Sequence, residues 1–295
     1  MFSLDVLMPY YGNPEYLMRA VGSVRELKET DWRLTIVEDV HPQGRQTEQR
    51  IADLGDERIR YLRNEENLGV ARNTFKAMSL GERDFLVLMD YDDMLLPNYG
   101  TAVQRLFARH ADAVIAQPGV EVVDEDDEPY LPLPDKVKRY AGPVNKDILL
   151  SGQKAAVSIL RGNWTYAPSI CYRRDAAAKL RYRPETATNT HDLARLVDLM
   201  VLGGSFAVGS EIAFRYRRHR RSESSTEARS GVRFEQERRY YSQIAGELDE
   251  IGWSSARRAA RMRLFSRLNA LTRVPGAVRH ANGEALSALL RHAIV

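Results

Sequence analysis

The feature that most restricts the fold is an apolar run, Phe85 to Met89, that stops abruptly in three carboxylates, Asp90, Asp92 and Asp93, within the stretch DFLVLMDYDDMLLPNY. Such a short run bounded by charge has the length of a strand buried on both faces, as in a parallel sheet covered by helices. Pro97 then opens a helix expected from Asn98 to Arg109. In an open α/β sheet, ligands bind outside the carboxyl ends of the strands. Three carboxylates within four residues repel one another unless a cation or a hydrogen-bond network holds them. The triplet is therefore either an acidic turn or a site for a hard divalent ion bound through oxygen.

The stretch before it supplies the rest of such a sheet. Residues 3–8 predict a first strand, closed by Pro9, Tyr10, Tyr11 and Gly12. Asn13-Pro14 starts a helix with Leu17, Val21, Val24 and Leu27 on one face. Arg33 to Val37 predict a second strand, ending in Glu38-Asp39, followed by a helix over Thr47 to Leu54 and a strand over Arg58 to Leu62. Asn67-Leu68-Gly69-Val70-Ala71-Arg72-Asn73 opens a helix that ends near Gly81, and the Asp84 to Met89 strand follows. Alternating strands and helices at this spacing predict a parallel sheet with helices on both faces. The polar residues Tyr10, Tyr11, Glu38, Asp39 and the acidic triplet then converge on one edge. Tyrosines there can stack on a nucleobase, and carboxylates can accept a base N–H or ribose hydroxyls.

Composition removes several alternatives. No apolar run among the 295 residues approaches the roughly 18 that a spanning helix needs. The start, MFSLDVLMPYYG, lacks the basic flank and small-residue cleavage site of a signal peptide. The single Cys171 excludes an intrachain disulfide framework and suits a reducing cytoplasm. Charge is unevenly spread. From Arg215 onward there are 17 Arg and no Lys against eight acids, so this part carries +9 while residues 1–214 carry −6. An Arg-rich tail on an acidic body points to an anionic partner. A nucleic acid is disfavoured, because no aromatic-interleaved basic motif accompanies the arginines.

Further along, Ala113 to Val123 predict a strand ending in the acidic run 124–128, which with Pro129 is a solvated hairpin rather than a metal site. Residues 129–146, with four prolines, predict a loop of the kind that serves as a lid. Residues 163–172, NWTYAPSICY, predict another apolar strand. Asn189 or Thr190 caps a helix whose apolar face includes Leu193, Leu196, Leu199 and Met200, with Asp192 in its first turn, where the helix dipole favours it. Glu211 to Tyr216 predict a strand, followed by RRHRRSESS. From Val232 the chain is helical. Residues 256–272 predict one amphipathic helix with Ala260, Leu264, Phe265, Leu268 and Leu271 on its apolar side.

Four motifs in order, MPYYGN, VEDV, NLGVARN and MDYDD, resemble the family 2 glycosyltransferases. The resemblance implies a GT-A fold: an α/β, Rossmann-like, mostly parallel sheet flanked by helices. Residues 1–228 would be catalytic, with a nucleotide-sugar half to about 125 and an acceptor half from 126 to 228. Residues 229–295 would be a helical extension. It implies that Pro9, Tyr10, Tyr11, Glu38, Asp39, Asn67, Gly69, Arg72, Asp90, Tyr91 and Asp92 bind the donor. It further implies that Asp92 and Asp93 hold Mn²⁺ or Mg²⁺ with His219, and that Arg217 and Arg218 steady the diphosphate. Glu38 departs from the Asp usual in the family. The family opens a helix with Glu-Asp, whose Asp is the catalytic base. Asp192 keeps that position, and His191, in place of the Glu, falls on the acceptor side with Trp164.

The implied activity is inverting transfer of a sugar from a nucleoside diphosphate donor (UDP, dTDP or GDP) to a saccharide or lipid-linked acceptor in glycan, polysaccharide or glycolipid synthesis. The Arg-rich helices would touch the inner face of a membrane or a second subunit. Two rivals remain open at this point: a sugar nucleotidyltransferase, and a non-catalytic homologue that binds sugar nucleotides.

Overall fold

The computed structural model describes residues 2–184, 190–218, 232–279 and 283–294. The first half alternates as the sequence predicts: β1 (Phe2–Tyr10), α1 (Pro14–Arg25), β2 (Thr30–Glu38), α2 (Gly44–Ala52), β3 (Ile59–Arg63), α3 (Val70–Ser79) and β4 (Phe85–Leu88). Then come β5 (Met94–Leu95), α4 (Tyr99–Arg109), β6 (Ala113–Val123), α5 (Leu133–Ala141), β7 (Ile148–Ser151) and α6 (Gly152–Arg161). The remainder comprises β8 (Cys171–Arg173), α7 (Arg174–Ala177), α8 (His191–Val201), β9 (Ser205–Arg217), α9 (Val232–Glu250), α10 (Ser254–Met262), α11 (Leu264–Arg279) and α12 (Gly283–Ile294).

One sheet runs β3-β2-β1-β4-β8-β6-β9-β5, with β7 also paired to β9. The four strands β3, β2, β1 and β4 are parallel. Beyond β4 the sheet is mixed: β8 is antiparallel to both β4 and β6, whereas β6 and β9 are parallel. Parallel strands covered on both faces need near-continuous apolar side chains, and Leu4, Val6, Leu7 and Met8 of β1 are all buried. Asp5 is the exception. It is buried, pairs with Arg33 at 3.0 Å on the neighbouring strand, and accepts the backbone N–H groups of Glu82 and Arg83. A buried carboxylate without such partners would cost several kcal/mol. On α1, Leu17, Val21 and Val24 are buried as their spacing requires.

Three expectations change. Residues 129–146 are not a loop throughout. Pro132 and Pro134 stand at the N-terminus of α5, where a missing N–H costs nothing, so these prolines start a helix instead of preventing one. The strand expected over 163–172 shrinks to Cys171–Arg173, because a 3₁₀ turn at Ala167–Ser169 takes up Pro168. The helix expected over 256–272 is two helices. Arg263, at φ 31° and ψ 48°, is left-handed and ends α10. This break lets Ala256, Ala259 and Ala260 join the main core, together with Tyr240, Tyr241, Ile244 and Leu248 of α9. Phe234, Ala270 and Leu289 form a separate small cluster. Leu264, Leu268 and Leu271 of α11 stay about half exposed. No helix among the described residues is long and apolar enough to cross a membrane.

Candidate active site

The carboxyl ends of β1, β2 and β4 open onto a cleft of about 1960 Å³. At the end of β2, Asp39 is buried. Its carboxylate accepts Asn64 Nδ2 at 2.7 Å and the backbone N–H groups of Leu68 at 2.8 Å and Gly69 at 2.9 Å. Asn67 Nδ2 donates to the Asp39 carbonyl and Asn73 Nδ2 to that of Val37, both at 2.9 Å. The segment after β3 is thereby tied to the end of β2. Gly69 has φ of 74°, a region that only glycine enters without steric cost. Asp39, Asn67 and Gly69 all line the cleft.

Two neighbours do not. Glu38 is fully buried, forms an ion pair with Arg63 at 2.9 Å, accepts the His41 N–H and packs under Gly44. It is a support for the strand end, which corrects its expected place among the nucleoside contacts. Arg72 projects from α3 into solvent, 4.0 Å from Glu66. The residue that α3 turns inward is Asn73.

Pro9, Tyr10, Tyr11 and Tyr91 line the same end of the cleft. Tyr10 is fully buried, donates to the Gly12 carbonyl at 3.1 Å and meets Tyr91 edge-on with centroids 5.6 Å apart. Tyr10 therefore backs Tyr91. The accessible rings are Tyr91 and Tyr11, which is 51% exposed. His41, which sequence reasoning passed over, stands against both Tyr10 and Tyr11.

The three acids come together: one carboxylate oxygen from each of Asp90, Asp92 and Asp93 lies within 4.8 Å of the others. Asp93 is buried. Its Oδ1 accepts the Arg217 N–H at 2.8 Å, while its Oδ2 has no hydrogen-bond partner. Burial, followed by the charges of Asp92 and Asp90, pushes its pKa well above the usual carboxylate range. An orphaned buried oxygen beside two further carboxylates is the donor set of a hard divalent cation, so these residues fit Mg²⁺ or Mn²⁺.

Arg217 serves this loop and not a ligand. Its side chain is buried and donates to the carbonyls of Asp92 at 2.8 Å, Asp124 at 3.0 Å and Glu125 at 3.3 Å. It also lies 2.5 Å from Asp127, an ion pair off the line of a hydrogen bond. With every arm committed, Arg217 is a strut between the triplet and the 124–128 hairpin, which corrects its assignment to a diphosphate. Arg217 and Arg218 both line the cleft; Arg218 is held in a two-pronged pair by the buried Asp135 at 3.0 and 3.1 Å. Asp135 also accepts the Tyr166 hydroxyl at 2.9 Å. Beside them Lys138 donates to the Thr165 carbonyl at 2.8 Å over the Tyr166 ring, and burial, then Arg218, pulls its pKa down to about 7. Asp135 and Lys138 were invisible in a segment read as loop.

Asp192, in the first turn of α8, lines the cleft with His191 and Arg195. Its Oδ1 is contacted by His191 Nε2 at 3.2 Å and by Arg195 Nη2. Burial raises its pKa, but His191 and Arg195 outweigh that and hold it below the usual value. Trp164 is fully buried. Its ring stacks on Phe206 and its Nε1–H reaches Ser158 at 3.2 Å, so it stands in the cleft wall on the side of His191 and Asp192 as a core residue and not as an exposed sugar platform. His219 lies outside the described residues. The helical extension contributes a wall of its own, with Arg233, Glu237 and Tyr241 of α9 and Phe265, Asn269 and Arg273 of α11.

Residues 5–163 match the model of the family described as Glycosyl transferase family 2. The chain belongs to this family. This glycosyltransferase is 28% identical over 95 residues to an Escherichia coli (strain K12) protein provisionally named colanic acid biosynthesis glycosyl transferase WcaA. It is 31% identical over 97 residues to the uncharacterized glycosyltransferase MJ1057 of Methanocaldococcus jannaschii. The match covers 32% of this chain in both cases, and 34% and 33% of those relatives. Among solved structures, S. aureus TarS 1-349 in complex with UDP-GlcNAc superposes with a TM-score of 0.71 at 15% identity. That superposition covers 98% of this chain and 79% of that one. The same protein with UDP gives 0.59 at 12% identity, over 99% and 90%. These likenesses extend the shared GT-A fold into the helical C-terminal region, and family membership removes the sugar nucleotidyltransferase alternative.

Proposed function

We propose that this glycosyltransferase moves a sugar from a nucleoside diphosphate donor, UDP foremost, to an acceptor hydroxyl with inversion at the anomeric carbon. The observation that carries the reading is that Asp90 and Asp92 of the acidic triplet line one cleft with Asp192, about a hundred residues away in sequence. The complexes of TarS with UDP and UDP-GlcNAc favour UDP over GDP or dTDP. Asp39, Asn67 and Gly69 form the rigid edge against which the nucleoside rests, with Tyr11 and Tyr91 offering ring faces. Asp90 sits beside the ribose and diphosphate. Asp92 and Asp93 would hold Mn²⁺ or Mg²⁺, which when bound supplies Lewis-acid neutralisation of the departing diphosphate. Arg218, aligned by Asp135, adds a fixed positive charge on the same side.

Asp192 takes the proton of the attacking hydroxyl, work typically worth about 10²–10⁴-fold in rate. One displacement suffices, so no covalent nucleophile is required. The acceptor enters from the side walled by α5, α9 and α11. The half-exposed Leu264, Leu268 and Leu271, flanked by arginines, suit peripheral contact with an anionic bilayer that carries a lipid-linked acceptor.

A thermal-shift screen of UDP, GDP and dTDP with and without Mn²⁺ tests the donor half: UDP with Mn²⁺ should stabilise most. Asp192→Asn should abolish transfer and leave that shift intact. No metal-dependent shift with any nucleotide, or near-normal turnover of Asp192→Asn, would overturn the corresponding half of the reading.

A further inference from the structure

The carboxylate of Asp192 is held asymmetrically. Its Oδ1 is approached from both sides by groups of its own helix: His191 Nε2 at 3.2 Å, and Arg195 Nη2 one turn on. The spacing i to i+3 places Arg195 on the same helix face. Its Oδ2 accepts no hydrogen bond among the described residues and is not among the buried orphaned oxygens. Arg195 is itself 8% exposed, so its guanidinium is fixed by packing. It lies against the Tyr172 hydroxyl, and its field reaches Asp90 on the donor side. The ionisable groups that face Asp192 are His191 and Arg195 from α8, Lys138 from α5 and Tyr172 from β8.

We infer that Arg195, with His191, is a positioning residue that pins Oδ1 of Asp192 and so selects Oδ2 as the oxygen presented to the acceptor hydroxyl. The inference rests on the reading of Asp192 as the base. A planar guanidinium fixed by burial suits this task better than a lysine, because its donors keep their directions when the ion pair forms. Misplacing a reacting oxygen by about 1 Å can cost about 10²-fold in rate. His191 and Arg195 hold the pKa of Asp192 below its usual value although burial opposes this, so the base stays competent into mildly acidic solution. A carboxylate aligned only by the helix dipole would have neither property.

The test compares the full chain with Arg195→Met, Arg195→Lys, His191→Gln and Asp192→Asn. With ¹³Cγ-labelled aspartate, the resonance missing from Asp192→Asn reports the Asp192 carboxyl. It should titrate below the ordinary carboxylate range in the native protein, move up in Arg195→Met and His191→Gln, and stay low in Arg195→Lys. Turnover of a UDP-sugar with Mn²⁺ should fall about 30–100-fold in Arg195→Met and by a smaller factor in Arg195→Lys, with the UDP thermal shift unchanged. The acid limb of the pH–rate profile should move up in Arg195→Met alone of these two. An unmoved Asp192 resonance, or turnover of Arg195→Met within about threefold of native, would overturn the inference. If Asp192→Asn itself kept its turnover, the base reading would fail instead, and the titration would still decide whether the clamp exists.

Discussion

Replacing Arg217 by Met separates two roles that the same residue could fill, and the structure sets the size of the effect. The side chain donates to three carbonyls, of Asp92, Asp124 and Glu125, and pairs with Asp127, with 1% of its own surface exposed. Hydrogen bonds to a charged donor contribute about 1.5–3 kcal/mol each, and breaking a buried ion pair costs about 3–5 kcal/mol. The sum overstates the loss, because Asp127 is one-third exposed and the hairpin carbonyls can rehydrate. A net cost near the lower bound, about 3–4 kcal/mol, is expected. At about 2–4 °C per kcal/mol for a chain of this general size, the melting temperature falls by about 6–16 °C. Differential scanning fluorimetry of the apo protein measures this directly, with Arg218→Met as the comparison. Arg218→Met leaves the buried Asp135 with the Tyr166 hydroxyl but without its cation, so it should lower the melting temperature too, and it differs from Arg217→Met in also losing the UDP–Mn²⁺ shift. If Arg217→Met melted within about 3 °C of native while losing its UDP–Mn²⁺ shift, the strut argument would be refuted and a ligand role restored.

Three further outcomes are expected. The folded pKa of Asp93 is raised, so its contribution to stability is present at low pH, where it is protonated, and is lost as pH rises through that value. Asp93→Asn should therefore stabilise the metal-free protein at neutral and alkaline pH, seen in denaturant melts, while abolishing the Mn²⁺-dependent thermal shift. A Cβ on Gly12 would lie 2.1 Å from the Tyr91 hydroxyl, the far end of a side chain that can swing away. Gly12→Ala should thus cost little stability and weaken UDP binding about tenfold, measured by calorimetry, if Tyr91 lies against the nucleoside. His292 is buried with its Nε2 2.7 Å from Ser266, and burial pulls its pKa down from 6.5 to about 4. The neutral ring stabilises the packing of α9, α11 and α12 above pH 6.5, and this contribution is lost as pH falls toward 4. His292→Phe should flatten that acid slope in pH-dependent melting.

What was legible in the sequence was local. The strand ending in Asp90, Asp92 and Asp93 could be read because an apolar run and its terminating charges are contiguous, and the edge formed by Tyr11, Asp39 and Gly69 followed once the strands were parallel. Asp192 could be placed in the first turn of a helix because helix start signals are short-range, while its role as base comes only from the family resemblance. What was missed depends on burial or on distant partners. Glu38 and Asp39 are adjacent in sequence, yet alternation along β2 sends one side chain under Gly44 and leaves the other at the cleft. Trp164 carries no mark in the sequence that tells a core indole from an exposed one. Arg195 was within reach, three residues from Asp192 on one helix face, but its importance comes from being buried there. The prolines of 132–134 misled because the same residue forbids a helix interior and favours a helix start.

The position of β9 has a consequence for how the protein is made. This late strand does not extend the sheet at its margin; it is inserted beside β6 and also pairs with β5 and β7. Arg217, at its end, closes the loop that carries Asp93, 124 residues earlier. On a ribosome, the first four strands and the acidic triplet emerge well before the segment that finishes them. The nascent chain therefore exposes an open sheet margin and a loop of mutually repelling carboxylates until residue 217 clears the exit tunnel. Pairings of such long sequence separation form slowly, so this interval is when the chain most needs protection from misassociation. Cation affinity would then appear late and abruptly in synthesis, as the mark of a completed fold.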